Sequence, residues 1–260
     1  MHSFFQIKSF LNHWLDAVDD HSIHSPFFYD FYNRVVKEKN DPLLFLDIEK
    51  TRAKLLSNHS LVTVKDMGDA SYHFNSDQRS ISQVAATSLN NELQCQLYYR
   101  IAKSLEAKNI LELGTSMGIT SLYLARVKDS RITTLEGNQA MINIARTNFE
   151  YFNQKNINLI EGNIDQTLPE FLQHPARFDF VLMDANHRYE PTIRYFNWLV
   201  KRIADKGIIV IDDIYRSPEM VTAWKALHTH DLVYASIDLF HCGILFFDIN
   251  LNRQHFTWQL

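Results

Sequence analysis

The chain has 260 residues, 46% of them hydrophobic, and a formal net charge of −4, which suits a globular protein with room for one large domain or a core with an extension. Lys and Arg number 26 against 30 Asp and Glu, so the basic excess that marks nucleic-acid binding is missing and a nucleic-acid partner is disfavoured. No apolar run approaches the ~20 residues that span a bilayer, the first residues lack a leader's cleavage pattern, and Cys95 and Cys242 have no neighbour at metal-ligand spacing. The expectation is a cytoplasmic protein with no membrane partner and two reduced, buried thiols.

From residue 1 to 107 the pattern is helical and irregular, with no strand repeat. Phe4, Ile7, Phe10, Leu11 and Trp14 fall at helical spacing, as do Phe28, Phe31, Tyr32 and Val35. Ser25-Pro26 opens the second of these helices, since proline suits a first turn whose N–H needs no partner. A polar loop with Gly68 follows over 64–76, and a long helix is expected from Ser80 to Leu105, with Ile81, Val84, Ala85, Leu93, Leu97 and Ile101 inward. His21 and His24, ahead of Pro26, read as a structured loop rather than a metal pair.

From Asn109 onward, short apolar runs alternate with helix-length segments. Strands are expected at 109–113, 131–136, 157–161, 178–184 and 207–212, with helical patterns at 120–127, 139–152, 167–172, 191–203 and 218–229. Near-continuous apolar strands alternating with helices indicate an α/β fold with a parallel sheet covered on both faces. Three more strand-like runs, 232–239, 242–248 and 255–259, have short connections, and two of them suit an antiparallel hairpin at a sheet edge. The organisation expected is a helical N-terminal cap, 1–107, and an α/β core, 108–260.

In such a sheet, ligands bind beyond the carboxyl ends of the strands. The first core strand ends at Leu113 and breaks into Gly114-Thr115-Ser116-Met117-Gly118 before a helix. A dinucleotide loop would read Gly-x-Gly-x-x-Gly; counted from Gly114, Ser116 and Ile119 stand at the second and third glycines, a poor pyrophosphate cradle. Glu136 ends the second strand, where a carboxylate accepts both hydroxyls of a ribose; a solvated strand end is the competing reading. Glu112 can face a cationic amine or cap a neighbouring helix. Gly162 and Asn163, in the turn after the third strand, are placed to border an adenine.

The run 110–125 resembles the first motif of the class I S-adenosylmethionine-dependent methyltransferases. Thr134-Leu-Glu136, Glu161-Gly162, 178–184 and 207–213 resemble their later motifs in order, so the resemblance covers 109 to the C-terminus. It implies a Rossmann-like, mostly parallel seven-stranded sheet with its last strand antiparallel, and S-adenosylmethionine as cofactor, held by Glu112, Gly114, Thr115, Ser116, Gly118, Glu136, Gly162, Asn163 and Asp184.

The fourth and fifth strands end at Asp184 and at Asp212-Asp213. Carboxylates gathered at one edge repel, and a divalent cation, Mg²⁺ or Ca²⁺ by the hardness of the donors, resolves the conflict. The metal would favour the ionised form of an acceptor hydroxyl, and His187, three residues after Asp184, is placed to take its proton. The pattern resembles the divalent-metal-dependent O-methyltransferases, both the catechol enzymes and the bacterial sugar and macrolide enzymes. In the catechol enzymes an Asp and an Asp-Asn pair hold magnesium and a Lys is the base. Here Asp213 stands in place of the Asn and His187 in place of the Lys. The leading expectation is O-methyl transfer to a small hydroxylated acceptor. Rival readings are a metal-independent methyltransferase acting on nitrogen, protein or RNA, and a non-catalytic cofactor-binding module; oligomeric state is not legible.

Overall fold

The structure is a computed structural model that describes residues 4–19, 22–39, 43–64 and 78–259. His21 and most of the expected loop over 64–76 lie outside the described residues. In chain order come α1 (Phe4–Asp16), α2 (Pro26–Phe31) with a π-helical turn at Tyr32–Val36, α3 (Leu46–Leu56), β1 (Leu61–Thr63), β2 (Gln78–Ser80), α4 (Ile81–Ser88) and α5 (Glu92–Ser104). The alternating region follows: β3 (Asn109–Leu113), α6 (Ile119–Leu124), β4 (Arg131–Glu136), α7 (Gln139–Tyr151), β5 (Ile157–Glu161), α8 (Ile164–Phe171), β6 (Phe178–Met183), α9 (Tyr189–Leu199), β7 (Ile203–Asp212), α10 (Pro218–His228), β8 (Ala235–Asp238), β9 (Cys242–Phe246) and β10 (Gln254–Thr257). Among the described residues no helix is long and apolar enough to cross a membrane.

The chain divides into two compact units, one of 1–38 with 176–260 and one of 39–175. The helices ahead of β3 are therefore shared between both units.

In the 39–175 unit, β3, β4 and β5 are parallel neighbours, in the register Glu112↔Thr134, Leu113↔Leu135 and Glu136↔Glu161. Their carboxyl ends thus lie level, and the turns that follow them share one edge. The expected single helix from Ser80 to Leu105 is two. Ser80 and Asn91 each begin a helix with a reciprocal capping box, closed by Gln83 and Gln94, and such a cap contributes about 1 kcal/mol. The break resets the helical phase, so Leu93, expected inward, is exposed. Two elements were not foreseen: α3, and the antiparallel ribbon of β1 and β2.

In the 1–38/176–260 unit, the strand order is β10-β8-β9-β7-β6. β6 and β7 are parallel, and β9 runs antiparallel to both β7 and β8, so the expected hairpin is present. β10 adds a further strand, parallel to β8, beyond the seven that the resemblance implies. Its reason is aromatic. Phe28 on α2 sits 5.3 Å from the Phe246 ring and 4.8 Å from Phe256, and Tyr32 lies 4.9 Å from Trp258, which is fully buried. The tail strand and the N-terminal helix bury one another's rings.

Candidate functional site

The turn after β3 is built around two glycines in the left-handed region. Gly114 has φ 97° and Gly118 φ 82°. At Gly118 a Cβ would also stand 2.6 Å from the Phe149 ring of α7, so both backbone and space demand glycine there. The N–H groups of Gly114 and Thr115 donate to the Leu135 carbonyl at 3.0 and 3.2 Å. The buried Asn148 of α7 donates to the Met117 carbonyl at 2.8 Å. Ser116 has φ 48°, an unusual conformation for a side-chain-bearing residue, and its hydroxyl meets that of Ser88, at the end of α4, at 3.1 Å.

Glu136 closes this turn. Its Oε2 accepts the Ser116 N–H at 2.8 Å and its Oε1 the Asn138 N–H at 2.8 Å. Burial pushes its carboxyl above the usual range, while the N–H groups of Asn138, Ser116 and Gly137 oppose the shift. The side chain is only partly covered, and each carboxylate oxygen keeps a lone pair beyond the backbone bond. Gly162 (φ 130°) donates its N–H to the Glu136 carbonyl at 2.8 Å, and the Asn163 side chain caps α8 through the Asp165 N–H.

Glu112 lies deeper. It is fully buried, and its Oε2 accepts hydroxyl hydrogen bonds from Ser121 on α6 and from Thr134, the latter at 2.6 Å. Thr134 in turn lies 2.6 Å from the Thr115 hydroxyl. Thr134 gives its one proton to Glu112, so Thr115 is the donor to Thr134. The other Glu112 oxygen, Oε1, has no hydrogen-bond partner among the described residues. Desolvation pushes the Glu112 carboxyl up to about 7 against the two hydroxyl bonds. This carboxylate braces the turn from beneath, through Thr134 and Thr115.

The second group of expected residues lies in the 1–38/176–260 unit. Met183 pairs with Ile211 across β6 and β7, so Asp184 and Asp212 leave neighbouring strands at the same level. Asp184 Oδ1 lies 3.5 Å from His187 Nε2, with both side chains about five-sixths covered. His187 holds φ 33° and Asn186 φ 69°; consecutive strained residues of this kind collect where a side chain must be aimed. Asn186 donates to the Tyr195 hydroxyl at 3.2 Å. Asp212 is buried, and its Oδ1 accepts the Asp213 N–H at 3.0 Å. Asp213 (φ 54°) turns its own carboxylate to Arg216, at 3.0 Å. Among the described residues no group of three or more His, Cys, Asp or Glu side chains is arranged to hold a metal ion. The expected three-carboxylate set is therefore not gathered: Asp184 faces His187 and Asp213 faces Arg216.

Several supporting residues escaped the sequence. Thr134 and Ser121 are among them, although the Glu112↔Thr134 register follows once β3 and β4 are paired. Asn138 caps α7 through the N–H groups of Ala140 and Met141, and a polar residue just before a helical pattern is the signal that would have found it. Tyr98 and Tyr99 are buried on α5, and Gln94 serves in the capping box.

The methyltransferase-domain family matches residues 111–214. A catechol O-methyltransferase of Mycobacterium tuberculosis is 27% identical over 144 residues, 54% of this chain and 62% of that protein. A catechol O-methyltransferase of Niastella koreensis is 29% identical over 125 residues, 46% of this chain and 56% of that protein. The chain thus spans less than two thirds of the length of either curated relative. The O-methyltransferase of Bacillus cereus, solved in complex with SAH, superposes with a TM-score of 0.57 at 18% identity, covering 83% of this chain and 94% of that one, a likeness of fold. The chain thus has the Rossmann-like fold of these methyltransferase structures, and its residues 111–214, which hold the glycine turn and Glu136, are similar to a methyltransferase domain.

Proposed function

We propose that the chain transfers a methyl group from S-adenosylmethionine to an oxygen of a small hydroxylated acceptor. Glu136 carries the cofactor half of this reading. Its carboxylate is held by backbone at both oxygens and is partly open, suited to a ribose diol. It also takes the Ser116 N–H, a group that a pyrophosphate loop would keep for phosphate, and its negative charge at the turn repels one. The SAH-bound Bacillus cereus neighbour agrees with this choice of cofactor, and the catechol O-methyltransferase relatives agree with oxygen as the acceptor atom.

His187 is proposed as the base, with Asp184 stabilising its protonated ring. As the acceptor oxygen attacks the methyl carbon, its proton passes to His187. The carbon–sulfur bond breaks, and sulfur keeps the electron pair as a neutral thioether. The sulfonium needs no activation, so the protein's work is alignment and proton removal. Residues 1–107 are proposed as a cap that supports the cofactor turn and shapes acceptor access; the Ser88–Ser116 contact favours the first role.

A divalent cation on Asp184, Asp212 and Asp213 is the second reading, favoured by the level carboxyl ends of β6 and β7. With Asp213 on Arg216 the donors as arranged do not fit a three-carboxylate site, and no step here runs through a metal. Turnover that survives exhaustive chelation removes this reading, and turnover lost to chelation and restored by Mg²⁺ establishes it. The cofactor is tested by thermal denaturation. S-adenosylmethionine and SAH should raise Tm by mass action and NAD should not; stabilisation by NAD alone contradicts the proposal.

A further inference from the structure

α1 is turned inside out. Its buried side chains are Ser9 and His13. His13 Nε2 lies 3.1 Å from Asp238 Oδ1, and Asp238 also accepts from the Tyr215 hydroxyl at 2.9 Å and from the Trp224 indole at 3.0 Å. Phe10 adds an edge contact to Phe240 at 5.3 Å. These anchors hold the polar stripe inward and leave an apolar face outside: Phe4, Ile7, Leu11, Trp14 and Leu15, of which Ile7 at 51% is the least exposed and Phe4 at 83% the most.

We infer that this face is a self-association surface, on which the α1 helices of two copies of the chain pair antiparallel about Leu11. Three observations choose the occupant. The steps from Phe4 to Ile7, Leu11 and Trp14 are three, four and three, the spacing of a seam that packs against another helix. The five side chains, uncovered by half to four-fifths, present roughly 600 Å², at the upper end of the largest patch on a typical monomer and most of the ~800 Å² that each partner of a standard interface buries. A helix lying in a lipid surface carries Lys and Arg on its polar face, whereas α1 has Lys8 alone as a lysine or arginine. A second copy complements the face. Antiparallel pairing about Leu11 sets Ile7 against Leu15, and it sets Lys8 over Trp14 twice, a cation on an indole. A two-fold interface of this kind closes as a dimer.

The test is sedimentation of the whole protein at micromolar concentration. The wild type should run as a dimer, and Leu11→Glu and Leu11→Lys, at an exposed position, should each run as monomers with unchanged circular dichroism. Mixed together, those two variants should form a dimer again, because the pairing sets residue 11 opposite itself. Leu15→Lys is a second probe and should loosen the dimer at least tenfold. A monomeric wild type, a dimer indifferent to these substitutions, or a mixture that stays monomeric overturns the inference. So does wild-type binding to vesicles of mixed neutral and anionic phospholipid that Leu11→Glu abolishes.

Discussion

The turn after β3 and the edge after β6 and β7 are both clusters of acidic side chains at the carboxyl ends of parallel strands, and the chain treats them in opposite ways. At the turn, each carboxylate is met by groups of fixed position: Glu136 by two backbone N–H groups, Glu112 by two hydroxyls on neighbouring elements. At the edge, Asp212 accepts a backbone N–H, but the other two carboxylates meet ionisable side chains, Asp184 a histidine and Asp213 an arginine, and His187 and Asp213 are held at positive φ. A methyl donor that must be replaced at every turnover, as proposed for this turn, favours a preset cradle. A group that gains and loses a proton, as proposed for His187, favours a carboxylate beside it to stabilise the charged ring.

The largest effect that would break this comparison is at His187. His187→Ala should lower turnover by about 10²–10⁴-fold and leave the affinity for SAH unchanged, measured by single-turnover kinetics beside calorimetry. Equal turnover removes His187 from the reaction, and a parallel loss of SAH affinity would make the edge part of the cradle. Next is Gly118→Ala. The left-handed backbone and the approach to Phe149 together should cost about 3 kcal/mol of stability, read from denaturant unfolding; a change near zero would show that the turn is not tightly set.

Glu112 supplies a pH test of the cradle. Its carboxyl titrates near 4.5 when unfolded and near 7 in the fold, so the folded state holds the proton longer. The stability this provides is complete below pH 4.5 and is lost as pH rises through 7, by about 3 kcal/mol in all. Glu112→Gln should remove that slope. A variant as pH-dependent as the wild type would place the titration elsewhere. The smallest effect belongs to Asp213. Its pair with Arg216 is half exposed and contributes under about 1 kcal/mol, so Asp213→Asn should leave stability and turnover nearly unchanged. A tenfold loss of turnover would instead favour the metal reading.

How much of this was legible depended on how local the cause is. β3, β4 and β5 begin and end where the apolar runs do, and a glycine follows each of them, Gly114, Gly137 and Gly162. Glu136 was readable for the same reason, as the last residue of such a run. The role of Glu112 was not, since it depends on the strand register that brings Thr134 beside it and on Ser121 from a later helix. α3 was missed because its inward face carries Thr51 and Arg52. Arg52 is held by Glu49 of the same helix and by the Cys95 thiol, and Glu49 by the Tyr123 hydroxyl; Cys95 and Tyr123 are far away in the chain. The break after α4 was written locally, in two capping boxes, and was obscured by the apolar periodicity on either side. The positive φ of His187 and Asp213 had no local sign, because no glycine stands there.

The central claim is that Glu136 makes the glycine turn a site for S-adenosylmethionine, and calorimetric titration of SAH into the wild type and Glu136→Ala tests it most directly. Loss of a charged hydrogen-bonding partner should weaken binding by about 2 kcal/mol, roughly thirtyfold, with the fold retained. SAH binding to Glu136→Ala with wild-type affinity, or no binding to the wild type, would contradict it.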